Sequence, residues 1–85
     1  MNQEINRIHW KCRRGMREID LLLREFSRGP LLRLEAKDIK VFDNILDYDD
    51  QTLFDYIFKG DPIGSEEHQI FIDKYLKKFT KQGNF

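Results

Sequence analysis

At 85 residues the chain has room for one hydrophobic core, and a domain this small buries only about 60% of the surface its unfolded form exposes. Lys+Arg and Asp+Glu balance at 15 each, so net charge draws no polyanion, and the longest apolar runs, residues 21–23 and 70–72, are too short for a membrane span or a signal-peptide core. The single Cys12 excludes an internal disulfide and fits a reducing compartment, so a cytoplasmic protein is expected.

From the N-terminus, Ile5, Ile8 and Cys12 share one helical stripe, and Met16, Ile19, Leu23 and Phe26 continue it at spacings of three and four. Periodicity alone permits a single helix over residues 3–26. Gly15 lies inside that pattern, at a cost of about 1 kcal/mol relative to alanine. It is either a tolerated interior glycine or the joint of a helix–turn–helix, and the stripe does not decide which. Ser27-Arg28-Gly29-Pro30 is the clearest break, because glycine and proline together end a helix. A further helix is expected over residues 35–46, with Ile39, Phe42, Ile45 and Leu46 facing inward.

Asp49-Asp50 offers an N-cap for the next helix, which carries Leu53, Phe54, Ile57 and Phe58 and stops at Lys59-Gly60 before Asp61-Pro62. Ser65 caps the last, with Glu66 and Glu67 at the positive end of its dipole and Phe71, Ile72, Tyr75, Leu76 and Phe79 on its buried face. No stretch alternates with period two, so no strand is expected. The expected fold is all-α, a compact bundle of four or five short helices over residues 1–81 with residues 82–85 as a frayed tail.

Charge is unevenly distributed along the chain. Residues 1–17 carry Arg7, Lys11, Arg13, Arg14 and Arg17 against the single acid Glu4, whereas residues 35–68 are strongly acidic. This predicts a polarised surface able to orient the protein on a partner. A basic first helix also admits a second function, binding of a nucleic-acid backbone. Against it stand the neutral whole, the acidic middle and the spread of the cations around the helix. His9 and Cys12, three apart, make half a metal site or a base and thiol. No CxxC, HExxH, GxSxG or glycine-rich phosphate loop accompanies them, and a core cysteine with a histidine at its edge is the favoured alternative.

With Ile5, Ile8 and Cys12 facing the core, Trp10 points about 140° away. That places it among Asn6, Arg14 and Arg17. Tryptophan among arginines has the composition of a protein-binding hot spot, and packing beneath another helix is the equal alternative.

The run Arg7-Ile8-His9-Trp10-Lys11-Cys12-Arg13-Arg14-Gly15-Met16-Arg17-Glu18-Ile19-Asp20 resembles the SdhE family, the FAD assembly factors of succinate dehydrogenase and fumarate reductase. The family hallmark is Arg-Gly-x-x-Glu followed by a hydrophobic residue and Asp, matched by Arg14, Gly15, Glu18, Ile19 and Asp20. Over residues 46–57, Asp49-Asp50 and Leu53-Phe54 also stand as in the family, and the resemblance covers residues 5–60. Tyr56 departs from it, where relatives often carry tryptophan, as do Glu35, where a serine N-cap is usual, and the loop at Gly29-Pro30.

The resemblance implies a five-helix bundle with Gly15 as the joint between the first two helices. It implies a chaperone-like assembly factor that is not an enzyme. Such a factor binds the flavoprotein subunit before its FAD–histidine bond is complete and favours the arrangement in which that bond forms. The partner-binding residues would be Arg7, His9, Trp10, Arg14, Gly15, Met16, Arg17, Glu18 and Asp20, with no catalytic or metal-binding residue and no stably held cofactor. Gly15 would admit the partner's backbone, Arg14 and Arg17 would pair with carboxylates, and Glu18 and Asp20 would accept hydrogen bonds. A local turn requirement at Gly15 and a dipole-stabilised helix-start carboxylate at Glu18 are the alternatives. Neither nucleic acid nor membrane is an expected partner, and a neutral bundle without a long heptad seam is expected to be a monomer.

Overall fold

The apolar stripe that runs through Gly15 does not become one helix. In the computed structural model, which describes residues 2–78, helix α1 spans Asn2–Lys11 and α2 spans Arg17–Arg28. The helix–turn–helix implied by the family resemblance therefore forms. Met16 sits at the N-cap of α2 in extended conformation (φ −84°, ψ 123°) without a side-chain cap of its own. Carboxylates from elsewhere satisfy the backbone of the turn. Asp20 Oδ1 accepts the Arg14 amide at 2.8 Å, and Asp50 Oδ2 accepts the Met16 amide at 3.1 Å. Amides entering a helix have no intrahelical acceptor, so these contacts remove donors that would otherwise be unmet.

After α2, Pro30 opens a single 3₁₀ turn, Pro30–Arg33, at a position where a missing N–H costs nothing. Helix α3 spans Ala36–Ile45, and Glu35 stands at its N-cap without a side-chain hydrogen bond. Helix α4 spans Asp50–Lys59. Asp49 caps it by accepting the Thr52 amide at 2.8 Å, and Gly60 closes it in the left-handed region (φ 80°), which a Cβ disfavours. Helix α5 begins as Glu66–Phe71, with Ser65 Oγ accepting the His68 amide at 3.3 Å, and passes into a π-helical turn, Ile72–Leu76. No strand occurs among the described residues.

Helix α2 lies at the centre of the core and contributes Ile19, Leu22, Leu23 and Phe26. Ile8 on α1 and Cys12 just after it cover it on one side, and Leu31, Phe42, Ile45, Leu46, Leu53, Phe71, Ile72 and Leu76 from later in the chain. Phe26, Phe42 and Phe71 meet with ring centroids 4.9, 5.9 and 6.1 Å apart, in tilted, stacked and edge-on geometries that aromatic quadrupoles allow. Ile39 and Tyr75, expected inward, are partly buried against this core.

The apolar residues of α4 are not buried alike. Leu53 and Tyr56 are buried, Phe54 and Ile57 only partly so, and Phe58 is 36% exposed. The reason is the single polar atom of Tyr56. Its hydroxyl donates to Asp73 Oδ1 at 2.8 Å and lies 3.3 Å from the Gln69 carbonyl, so the ring is buried without losing hydrogen bonding. Phe58 leans instead on Phe54, centroid to centroid 4.7 Å. Phe79 and the tail at residues 82–85 lie outside the described residues.

Candidate functional site at the corner between the first two helices

The turn from α1 into α2 is built around Arg14. Its Nε donates to Asp50 Oδ1 at 2.7 Å, its Nη1 to the carbonyls of Lys11 and Leu46 at 2.9 Å each, and its Nη2 to the Tyr48 carbonyl. The side chain is only 11% exposed. A guanidinium has five N–H donors in a rigid fork, and four of these contacts are made within the chain. Burial alone would raise the Asp50 carboxyl. The bond from Arg14 and the amides of Met16 and Gly15 outweigh it and hold Asp50 below the usual carboxylate range. Arg14 therefore shapes the corner from behind. Asp20 does the same, with one oxygen on the Arg14 amide and the other 3.3 Å from Arg24 Nε.

The outward side of the corner is composed differently. Gly15 is exposed, its φ is not positive, and a Cβ built on it would meet only Asp50 Oδ2, at an ordinary 3.9 Å. Nothing among the described residues requires glycine there. Arg17 is exposed and Glu18 half-buried, and neither side chain makes an ion pair or hydrogen bond among the described residues. Met16 turns its side chain to the core and offers only its amide, already held by Asp50.

Trp10 is 68% exposed, which settles its placement on the surface. Its neighbours are corrected, however. It lines a shallow depression with Asn6, His9 and Arg13, and the Arg13 guanidinium lies 5.1 Å from the ring centroid. The expectation of Arg14 and Arg17 extended the helical period past Lys11, where α1 ends. Arg13 also lies past the end of α1, but its amide bonds the Trp10 carbonyl at 3.1 Å, and this last i→i+3 turn, not helical periodicity, brings it beside the ring.

The remaining residues fasten α1 to the bundle. Arg7 makes a two-pronged pair with Asp43 at 2.8 and 3.1 Å, and Lys11 reaches Asp43 and Asp47 at 2.8 Å each. His9 Nε2 lies 3.1 Å from the Ser27 carbonyl, which can only accept, so that nitrogen carries the proton and meets an otherwise open carbonyl near the end of α2. Cys12 is buried beside the same Ser27, and burial pushes its thiol up to about 11. A base and an activated thiol are not what this pair forms. Among the described residues no three metal-ligating side chains converge. Because Arg7, Lys11 and Arg14 spend their charge on Asp43, Asp47 and Asp50, the strongly basic N-terminal surface expected from the sequence is reduced to Arg13 and Arg17. That removes most of what a phosphate backbone would bind.

The described residues thus form a small helical bundle whose first corner leaves Gly15, Arg17 and Trp10 exposed. Comparison with known proteins narrows this. A family model described as flavinator of succinate dehydrogenase matches residues 6–82, and the chain belongs to this family; it is also similar to proteins named FAD assembly factor SdhE. The FAD assembly factor SdhE of Legionella pneumophila (strain Paris) is 45% identical over 56 residues, 66% of this chain and 71% of the relative. That of Yersinia pseudotuberculosis is 38% identical over 65 residues, 75% and 74% of the two chains. That of Coxiella burnetii is 37% identical over 76 residues, 87% and 93%. No solved structure matches the chain. The family is one of assembly factors and not of enzymes. No helix among the described residues is long and apolar enough to cross a membrane.

Proposed function

We propose that this chain docks through the corner between α1 and α2 on the flavoprotein subunit of succinate dehydrogenase or fumarate reductase, and there promotes covalent attachment of FAD. The observation that carries the reading is the bare backbone at Gly15. It is exposed, has no left-handed φ and has space for a Cβ, so its missing side chain serves no contact among the described residues. A partner's main chain approaching the corner is what that absence favours. Arg17 and Glu18 flank it with a donor fork and an acceptor that no described residue engages, and Trp10 with Arg13 adds the residue types that dominate protein interfaces. The names of the family and of its curated relatives support the same reading.

In this role the chain supplies no reacting group. The bond-forming chemistry stays with the flavin and the target's own histidine, and the factor holds no FAD of its own. Its contribution is orientation. Holding reacting groups near attack geometry can remove several kcal/mol of barrier. A factor that prefers the competent conformer of its partner by about 1.4 kcal/mol raises that conformer's population ratio tenfold. The reading carries with it a monomer working in the cytoplasm, where a single reduced cysteine is at home.

The test is co-expression of the flavoprotein subunit with wild type, Gly15→Arg or Glu18→Ala, followed by in-gel flavin fluorescence. Both variants are expected to fold normally and to lower covalent flavin. Undiminished labelling with both would contradict the reading.

A further inference from the structure

Asp49 and Asp50 are neighbours in sequence with different tasks. Asp49 is exposed and caps α4 through the Thr52 amide. Asp50 faces the corner. One oxygen takes the Arg14 guanidinium at 2.7 Å and the other the Met16 amide at 3.1 Å, so a single carboxylate holds both the side chain and the main chain of the turn. The residues just before it complete the support. The Leu46 and Tyr48 carbonyls receive the two ends of the Arg14 fork. The Tyr48 hydroxyl lies 2.7 Å from His68 Nδ1, with the rings edge-on at 5.5 Å, which pins this turn to the start of α5.

We infer that Asp50 is the positioning residue of the docking corner, with Tyr48 as its second anchor. Together they set the backbone path at residues 14–16 and hence where Gly15, Arg17 and Glu18 are presented. The inference rests on the reading that this corner docks on the flavoprotein subunit. A carboxylate in the first turn of α4 also favours that helix through its dipole, but a dipole role acts on stability alone. Positioning acts on affinity at equal stability. Asparagine separates the two sharply. It keeps the shape of Asp50 but turns one acceptor oxygen into an NH₂ donor, which must then face either the Met16 amide or the Arg14 guanidinium, donor against donor.

The experiment compares wild type, Asp50→Asn and Asp49→Ala by amide hydrogen exchange at residues 14–16 and by calorimetric titration with the flavoprotein subunit, below each variant's unfolding range. Asp50→Asn is expected to speed exchange of the Met16 amide and to weaken binding, each about tenfold, as loss of a charge-assisted hydrogen bond implies. Asp49→Ala is expected to lower the thermal midpoint through its lost cap yet keep wild-type exchange at the corner and wild-type affinity. Wild-type exchange in Asp50→Asn overturns the inference. So does an affinity loss no greater than that of Asp49→Ala. Tyr48→Phe, which removes only the hydroxyl facing His68, keeps the test decisive if Asp50→Asn does not fold. It should weaken binding about threefold, and wild-type affinity with wild-type corner exchange would overturn the inference. Failure of the wild-type chain to bind the flavoprotein subunit is a separate result. It appears before any variant is made, and it sinks the docking reading and this inference together.

Discussion

Arg14 and Asp50 stand 36 residues apart and are joined at 2.7 Å, and the same interval separates two further ion pairs, Arg7 with Asp43 and Lys11 with Asp47. One register thus fastens α1 and the corner along α3 and the start of α4. The pairs are not equal in weight. Arg7 is half exposed, so water screens its pair, whereas Arg14 is shielded and carries four hydrogen bonds at once.

Replacing Arg14 by alanine leaves the Asp50 carboxylate and the Leu46 and Tyr48 carbonyls short of a donor in a partly buried place. The expected loss is about 2–3 kcal/mol. In a domain of this size that lowers the melting temperature by roughly 10–20 °C. Lysine should rescue little, since a single ammonium cannot reach along the fork. Urea titration of both variants checks this. A loss within the range of ordinary surface substitutions would show that the corner does not depend on Arg14.

Gly15→Ala tests the opposite property. The backbone there is not left-handed and the new Cβ has ordinary clearance from Asp50. Stability should hold or rise by about 0.4–1 kcal/mol, because alanine restricts the unfolded chain. Covalent flavin on a co-expressed flavoprotein subunit should fall. A variant that is both unstable and inactive would mean that glycine serves the local turn instead.

The contrast between these residues shows what the sequence could convey. Helix identity followed from apolar period and caps, and Asp49, Gly60 and Ser65 do what short-range chemistry predicts. The break at Gly15 did not follow, because the acids that satisfy the turn include Asp50, far along the chain and invisible to a local pattern. For the same reason Arg14 reads as one more surface cation until its acceptors on the α3–α4 turn are seen. The buried face of α4 is not legible from hydrophobicity, which ranks Phe58 above Tyr56, while Tyr56, hydrogen-bonded to Asp73, is the buried ring.

Stability should fall at both ends of the pH range. The bond from Arg7, with Lys11 adding to it against desolvation, holds Asp43 below the usual carboxylate range, and Asp50 is held low by Arg14 despite its burial. A depressed folded value gives stability that is present above the unfolded value, near 4, and is lost as pH falls through the folded one. Burial raises Cys12 to about 11 and, with Asp73 adding to it, Tyr56 to about 12. Raised values give stability that is complete below the unfolded ones, about 8.5 and 10, and is lost as pH climbs toward the folded ones. Melting curves should be flat from about pH 5 to 8 and fall on either side, with a shallower acid limb in Asp43→Asn. An identical acid limb in that variant would remove Asp43 from the account.

Cys12 should resist chemistry in the folded protein. It is 1% exposed, and a thiol held near 11 is almost wholly protonated at pH 8. Iodoacetamide should leave the native chain unlabelled and modify it fully in urea. Prompt labelling under native conditions would reopen the thiol chemistry that His9 and Cys12 hint at by spacing.

Trp10 is the chain's one tryptophan, and its exposure makes it a reporter of docking. Iodide should quench its fluorescence efficiently in the free protein, since two-thirds of the residue faces solvent and the neighbouring Arg13 attracts the anion. Trp10→Ala should shift stability by less than about 0.5 kcal/mol, as for other exposed positions. On a docking face the same truncation should weaken the complex with the flavoprotein subunit about tenfold or more, the usual cost of removing a central aromatic anchor. The complex should also protect the indole from iodide, because an anchor works only where solvent has been excluded from around it. Quenching that is the same in free and mixed samples, with binding established independently, would place Trp10 outside the interface and leave Gly15, Arg17 and Glu18 to carry docking alone.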